Sequence, residues 1–335
     1  MKLTFSQIKD ITTGTEYIKE NNGVIEFHRF SKLEEEAYRD SWLSPRTLAT
    51  AGVKFHFRTD ATSLELKVVA ESIGYNTLYA IDVFSNKRLV GQIKNYPDDT
   101  GKGDRTKNEY PIGDAKGSFS LDDGEKEIEI YLPWSVKLGI KEISLEGESF
   151  VSPVKKEKRC LIYGDSITQG ATALSPSNAY AVKIADWLDA EGMNKAIGSE
   201  AYFPELVKAR SGNFNPDYLI VSYGVNDWVL RTYEEAEEKC REFWKEACAA
   251  YRGAKKIALT PIWYEDKNIN AKLGDFDKIE KFIRTVASEF SEITVIDCSD
   301  CVPEDSMFFD DGVHPTDEGF GYYFENLKKK LKDLK

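Results

Sequence analysis

The sequence predicts two domains of different class. Residues 1–152 read as an all-β sandwich of jelly-roll-like type, and residues 153–335 as a three-layer α/β/α domain around a parallel sheet. Hydrophobic period two dominates the first part, whereas apolar strands alternate with amphipathic helical stretches in the second. A chain of 335 residues is also long for one domain. The boundary falls in Val151-Ser152-Pro153-Val154-Lys155-Lys156-Glu157-Lys158, where a proline and a charged run separate the two compositions.

In the first part, 24–30 is a short strand candidate. Segments 53–58 and 63–68 alternate with period two, and 59–62 between them reads as a hairpin turn. Segments 78–84, 88–93, 117–121, 126–132 and 140–145 continue the pattern, separated by turn-rich links such as Asp122-Asp123-Gly124. Many short strands with little helix imply a sandwich or jelly roll. His28 and His56 lie in strand-like segments without metal-ligand spacing and read as ordinary strand residues.

From Arg159 the period changes. Strand 160–163 precedes helix 179–190, and a short strand at 194–197 leads to a helical stretch at 204–210. Strand 218–222 precedes helix 233–251, strand 256–260 precedes helix 276–290, and strand 294–298 precedes helix 317–331. Parallel neighbours need crossovers, and each crossover here supplies a helix to cover the sheet. In such a sheet the site lies beyond the carboxyl ends of the strands.

Chemistry-bearing residues sit at those ends. Tyr163-Gly164-Asp165-Ser166-Ile167-Thr168-Gln169-Gly170 follows the first strand, a position that presents a serine to solvent on a rigid base. Tyr223-Gly224-Val225-Asn226-Asp227 follows 218–222, and Asp311-Gly312-Val313-His314-Pro315 lies near the C-terminus. Serine needs an adjacent base to be nucleophilic at neutral pH, and His314 is the domain's single histidine. Asp311, three residues earlier, is close enough to orient it, with Asp310 as the substitute.

These three blocks, in this order, resemble the SGNH or GDSL-type hydrolase superfamily, over about the last 175 residues. The resemblance implies a flavodoxin-like α/β/α domain and a serine esterase using Ser166, His314 and Asp311. It assigns the oxyanion donors to the Ser166 N–H, a backbone N–H of Gly198 or Ser199, and the Asn226 side chain. Asn194-Lys195-Ala196-Ile197-Gly198-Ser199 resembles the family's Asn-x-x-Ile-Gly-Gly block, with Ser199 where a second glycine is usual. By position Ser199 is favoured as donor. Asp165 and Asp227 read as structural neighbours that hold the serine turn and the asparagine loop. Trp228 and Trp263 follow strand ends and are candidates for substrate contact.

The first part, with Leu132-Pro133-Trp134, resembles the small β domain that precedes the catalytic domain in some SGNH carbohydrate esterases. The expected activity is hydrolysis of short acyl esters, acetyl above all, on a carbohydrate. A thioesterase or general short-acyl esterase is the second reading, and a carbohydrate-binding protein with a retired hydrolase domain the third. No cofactor and no metal are expected.

A net charge of −12 argues against nucleic acid and anionic membranes as partners and suits a small-molecule or oligosaccharide ester. The N-terminal residues lack a signal peptide's apolar core, so a cytoplasmic location is expected. Five cysteines, all beyond residue 159, do not form a secreted disulfide framework, and Cys298-Ser299-Asp300-Cys301 reads as reduced structural thiols.

Overall fold

The computed structural model describes residues 1–335 except 106–108, 148–149, 213, 268 and 335. The chain opens with α1 (Phe5–Ile11), β1 (Thr12–Thr13), β2 (Tyr17–Asn21), β3 (Val24–His28), α2 (Lys32–Ala37) and a 3-10 turn at Ser44–Leu48. Eight strands follow: β4 (Lys54–Thr59), β5 (Ser63–Ser72), β6 (Ala80–Ser85), β7 (Arg88–Lys94), β8 (Gly113–Ser120), β9 (Lys126–Tyr131), β10 (Val136–Glu146) and β11 (Ser152–Pro153). They form two antiparallel sheets, β2-β3-β10-β5-β8 and β1-β4-β9-β6-β7, with β11 also pairing β4. Alternate residues of each sheet, such as Leu64, Leu66 and Val68 from β5 and Phe55 and Phe57 from β4, fill the core between them.

The expected hairpin at 59–62 is corrected by this topology. β4 pairs with β9 and β5 with β10, so 59–62 is an arch from one sheet to the other. Ala61 is buried under it, and its carbonyl accepts from the Lys126 ammonium at 2.5 Å. Period-two strands satisfy their apolar faces equally well across a sandwich or within one sheet, so alternation cannot distinguish the two. The helices α1 and α2 were not expected. Their signal was nonetheless local: Thr4 with Gln7, and Ser31 with Glu34, form capping boxes.

The second half is built from β12 (Lys158–Gly164), α3 (Ser166–Gln169), α4 (Tyr180–Trp187), β13 (Ala190–Asn194), α5 (Pro204–Lys208), β14 (Tyr218–Ser222), α6 (Val225–Leu230) and α7 (Tyr233–Ala250). It ends with β15 (Lys255–Leu259), α8 (Lys278–Ala287), β16 (Ile293–Ile296) and α9 (Asp317–Lys330). The sheet is wholly parallel, ordered β13-β12-β14-β15-β16. Counted within the domain this is the 2-1-3-4-5 doubly wound order, whose switch point lies between β12 and β14. Cys160 and Ile162 face α4 and α9, while Leu161 and Tyr163 face α5, α7 and α8, which is why β12 reads as a continuous apolar run.

β13 lies earlier than the expected strand at 194–197. Pairing with β12 ends at Asn194, whose side-chain carbonyl accepts the Ala196 N–H at 3.0 Å and turns the chain out of the sheet. The expected strand is therefore a loop.

The two halves share apolar clusters. Leu78, Tyr96 and Trp134 of the sandwich pack into the α4/α9 layer, and Phe30 and Tyr38 into the α5/α7/α8 layer. The chain stays on the sandwich until Val154, whose N–H donates to the His56 carbonyl at 3.0 Å.

Candidate active site

Ser166 opens the short helix α3 just beyond β12. Asp165 caps that helix, its carboxylate accepting the Ile167 N–H at 3.1 Å. Burial pushes Asp165 up to about 6, against the pull of that N–H and of His314. Gly164 is required by space: a Cβ there would overlap the Thr168 side chain and the Ser222 carbonyl. The turn is thereby packed against the neighbouring strand, and Ser166 is only 9% exposed.

The Ser166 Oγ lies 2.7 Å from His314 Nε2. His314 Nδ1 lies 2.8 Å from Asp311 Oδ2 and 3.1 Å from Oδ1. Asp311 Oδ1 also accepts the N–H groups of Val313 and His314 at 3.1 and 2.9 Å. Burial pushes the Asp311 carboxyl up, but the imidazole and these two N–H groups outweigh it and bring it down to about 2. Asp310 turns the other way. Its carboxylate accepts the Gly103 N–H at 2.8 Å and faces Arg105, so it joins the His314 loop to the sandwich.

The loop at 194–200 closes the other side of the site. Asn194 Nδ2 donates to the Thr168 carbonyl at 2.8 Å, and the Ile197 N–H to the Gly164 carbonyl at 3.1 Å. The Gly198 N–H donates to Gln169 Oε1 at 2.6 Å, so it is already engaged. The Ser199 N–H has no acceptor among the described residues. Ser199 adopts φ of +70°, the left-handed conformation that explains why glycine fits this position. Asn226, at the start of α6, donates from Nδ2 to the Glu200 carbonyl at 2.9 Å, which leaves its second amide hydrogen.

This loop is braced from the sandwich. Arg29, fully buried, donates to the carbonyls of Ala49 at 2.6 Å, Asn194 at 2.5 Å and Ala196 at 3.1 Å. Arg46 donates to the Gly198 carbonyl at 2.7 Å and to Ser199 Oγ at 3.1 Å. The Lys195 ammonium lies 2.6 Å from both Glu16 and Glu34. Glu200 is buried between the hydroxyls of Tyr38 and Tyr223, which donate to it, the latter at 2.7 Å. Burial pushes the Glu200 carboxyl up to about 8, against those hydrogen bonds and Arg29.

The expected role of Trp228 is corrected: its side chain is fully buried. Its Nε1–H donates to the Gly274 carbonyl at 2.6 Å, and its ring packs edge-on against Tyr264 and Phe276. Trp263 is half-buried against Phe309 and lines a cavity of about 130 Å3 with Lys267 and Phe276. Asp227 accepts the Tyr202 N–H at 3.2 Å and pairs with Arg231. Sequence reasoning missed Arg29, Arg46 and Glu200, whereas Gln169 stands in the serine block and braces its turn. For Arg29, Arg46 and Glu200 only the burial of a charged residue, invisible in sequence, marks them.

The five cysteines are free thiols. Among the described residues, His56, Glu127 and Glu129 bring potential ligand atoms within 4.8 Å of one another across β4 and β9. Lys54 Nζ lies 3.2 Å from Glu129, a positive charge that works against an added cation. His28 stacks on Tyr17 at 4.2 Å and its Nδ1 lies 2.6 Å from Glu35. No described helix is long and apolar enough to cross a membrane.

A hydroxyl, an imidazole and a carboxylate in series can activate a serine for acyl transfer, and the class to which the fold and this site belong is that of the carboxylic ester hydrolases. Residues 162–321 match the model of the GDSL-like Lipase/Acylhydrolase family. No curated protein matches the chain. Several solved structures are similar along its length. The salicylyl-acyltransferase SsfX3 of a tetracycline biosynthetic pathway has a TM-score of 0.80 at 17% identity, covering 96% of this chain and 94% of its own. A protein described as a GDSL-like lipase from Bacteroides ovatus has a TM-score of 0.79 at 15% identity, covering 100% and 97%. An acetyl xylan esterase from the rumen bacterium Butyrivibrio proteoclasticus has a TM-score of 0.65 at 15% identity, covering 100% and 98%.

Proposed function

We propose that the protein is a serine esterase that removes short acyl groups, acetyl first among them, from a carbohydrate. The observation that carries the reading is the 2.7 Å approach of Ser166 Oγ to His314 Nε2, with Asp311 behind the imidazole. The Ser166 oxygen attacks the ester carbonyl carbon while His314 Nε2 takes its proton. Asp311, ionised down to about pH 2, accepts the Nδ1–H and stabilises the imidazolium. The carbonyl oxygen becomes an oxyanion, received by the N–H groups of Ser166 and Ser199 and the free amide hydrogen of Asn226. His314 returns the proton to the departing sugar oxygen, leaving an acyl-serine. Water, deprotonated by the same imidazole, attacks that ester and frees the acid.

The small acyl group is supported by the low exposure of Ser166, which leaves little room around the hydroxyl. The carbohydrate is supported by the acetyl xylan esterase above and by a similar family two carbohydrate esterase from Clostridium thermocellum, whose structure is a complex with cellohexaose. The reading is tested by acetate release from acetylated xylo- and cello-oligosaccharides beside p-nitrophenyl esters of rising chain length, with Ser166→Ala as control. Acetate from the sugars and a steep fall beyond acetyl on the chromogenic esters is expected. Faster turnover of acyl-thioesters would redirect the reading to a thioesterase. No turnover of any ester by folded protein would overturn it.

A further inference from the structure

The sandwich does more at this site than brace a loop. The Arg46 guanidinium is held between two rings of its own domain, Trp42 at 4.6 Å and Tyr75 at 4.4 Å. Three of its five hydrogens go to the Gly198 carbonyl, Ser199 Oγ and the Gly74 carbonyl, and the residue is buried. The arginine therefore fixes both rings relative to the oxyanion loop. The Tyr75 ring lies against Gly198 on one side and packs edge-on against Trp134 at 5.9 Å on another. Its hydroxyl has no partner among the described residues. The ring carbon that bears this hydroxyl would lie 3.4 Å from a Cβ at Gly198, so the hydroxyl end of the ring sits beside the oxyanion loop.

Trp42 is the outer member of the stack. It is 65% exposed, the most exposed large hydrophobic side chain of the described residues, and its indole N–H has no partner there. Arg46 occupies one face of the ring, and the remainder borders an open groove of about 560 Å3 whose other walls include Glu35, Arg39, Ser44 and Thr47. One immobilised flat aromatic among hydroxyl and charged groups is the surface a sugar ring fits. Its axial C–H bonds lie on the aromatic face while its hydroxyls meet the polar rim. A purely apolar acyl chain would leave that rim unpaired.

We infer that Tyr75 and Trp42 form the binding platform for the sugar part of the substrate, Tyr75 beside the ester and Trp42 one or more sugar units farther out. This deepens the esterase reading and rests on it for the position of the ester. The rings are prepositioned by Arg46, so little side-chain freedom is lost when substrate arrives. Specificity for the alcohol is thereby placed in the N-terminal domain, while the chemistry is placed in the C-terminal one.

Two measurements on the full chain test this. In kinetics, Trp42→Ala is expected to lower the ratio of kcat/KM on acetylated xylohexaose to kcat/KM on p-nitrophenyl acetate about tenfold, chiefly through KM, the equivalent of one stacked ring. Trp42→Phe is expected to restore most of the ratio, which a merely structural role would not require. Tyr75→Phe, which deletes one hydroxyl, is expected to raise KM for the sugar about fivefold. Equal losses on both substrates, or no loss on either, would overturn the platform. In binding, calorimetric titration of Ser166→Ala with xylohexaose, cellohexaose and mannohexaose needs no turnover. Binding of at least one sugar, weakened about tenfold by adding Trp42→Ala, supports the platform even if the esterase reading fails. Turnover of p-nitrophenyl acetate by the parent enzyme with none of the three sugars bound would sink the platform and leave the esterase reading standing.

Discussion

The His314 loop carries its own scaffold, whereas the 194–200 loop opposite borrows one. Asp311 sits three residues before His314 and accepts both its imidazole hydrogen and its backbone N–H. The 194–200 loop is held by Arg29 and Arg46, 165 and 152 positions away from the carbonyls they grip. In the first, the Asp311–His314 contact needs only a local turn, while Asp310 beside it ties the loop to the sandwich. The second requires both halves of the chain to be folded and packed together. The proposed proton-transfer pair thus rests on neighbouring residues, and the proposed oxyanion loop on contacts from the other half of the chain.

Substitutions at the relay are expected to have the largest effect. Ser166→Ala and His314→Ala should each lower kcat by about 10⁴-fold or more, read with p-nitrophenyl acetate. Asp311→Asn should cost up to about 10⁴-fold, because the imidazole would lose the tautomer it needs. Asp310→Asn should leave activity within a few-fold, since Asp310 faces Gly103 and Arg105. A reversal of these two aspartates would break the local half of the comparison.

The borrowed scaffold comes next. Arg46→Ala removes no group from the C-terminal domain, yet it frees the Gly198 carbonyl and the Ser199 side chain. A loss of about 10²-fold in kcat is expected, the cost of one misplaced oxyanion donor. Arg29→Ala strands two loop carbonyls in the interior as well, so it should lower stability by about 3 kcal/mol or more, measured by urea denaturation. Trp228→Ala sharpens the contrast from the other direction. A fully buried ring should cost about 3–5 kcal/mol of stability, with substrate KM on the surviving folded protein nearly unchanged.

The smallest effect is a pH dependence. Glu200 keeps its proton to about pH 8 in the folded protein because burial disfavours the carboxylate, against an ordinary value of 4.5. Between those values the unfolded chain binds fewer protons than the folded one, so stability falls as pH rises through that window. Glu200→Gln should remove this slope, as a Tm series from pH 4 to 9 would show. An unchanged slope would mean that the carboxyl is not held neutral.

The same contrast explains what was legible in the sequence. The α/β half was readable where its strands are apolar runs and its helices carry periodic faces, and was misread at β13, where Glu191 and Gly192 interrupt the apolar pattern. Tyr218–Ser222 is found where the pattern put it, and α7 begins at the expected Tyr233. Ser166, His314 and Asp311 stood in local motifs. The arch at 59–62 was misread because alternation does not say which sheet a strand joins. Arg29, Arg46 and Trp42 were invisible because their importance comes from a domain docking that no local pattern encodes. Trp228 was misplaced because proximity in sequence to a site residue says nothing about which side of a helix faces the core.

The most direct test of the account is the rate at which a fluorophosphonate labels Ser166, followed by mass spectrometry of the Ser166 peptide, in the parent protein and in Arg46→Ala. Labelling needs the relay and the oxyanion donors together. One equivalent on Ser166, formed about 10²-fold more slowly in folded Arg46→Ala, is the expected result. An adduct on a different residue, or equal rates in the two proteins, would contradict an esterase site completed by its N-terminal domain.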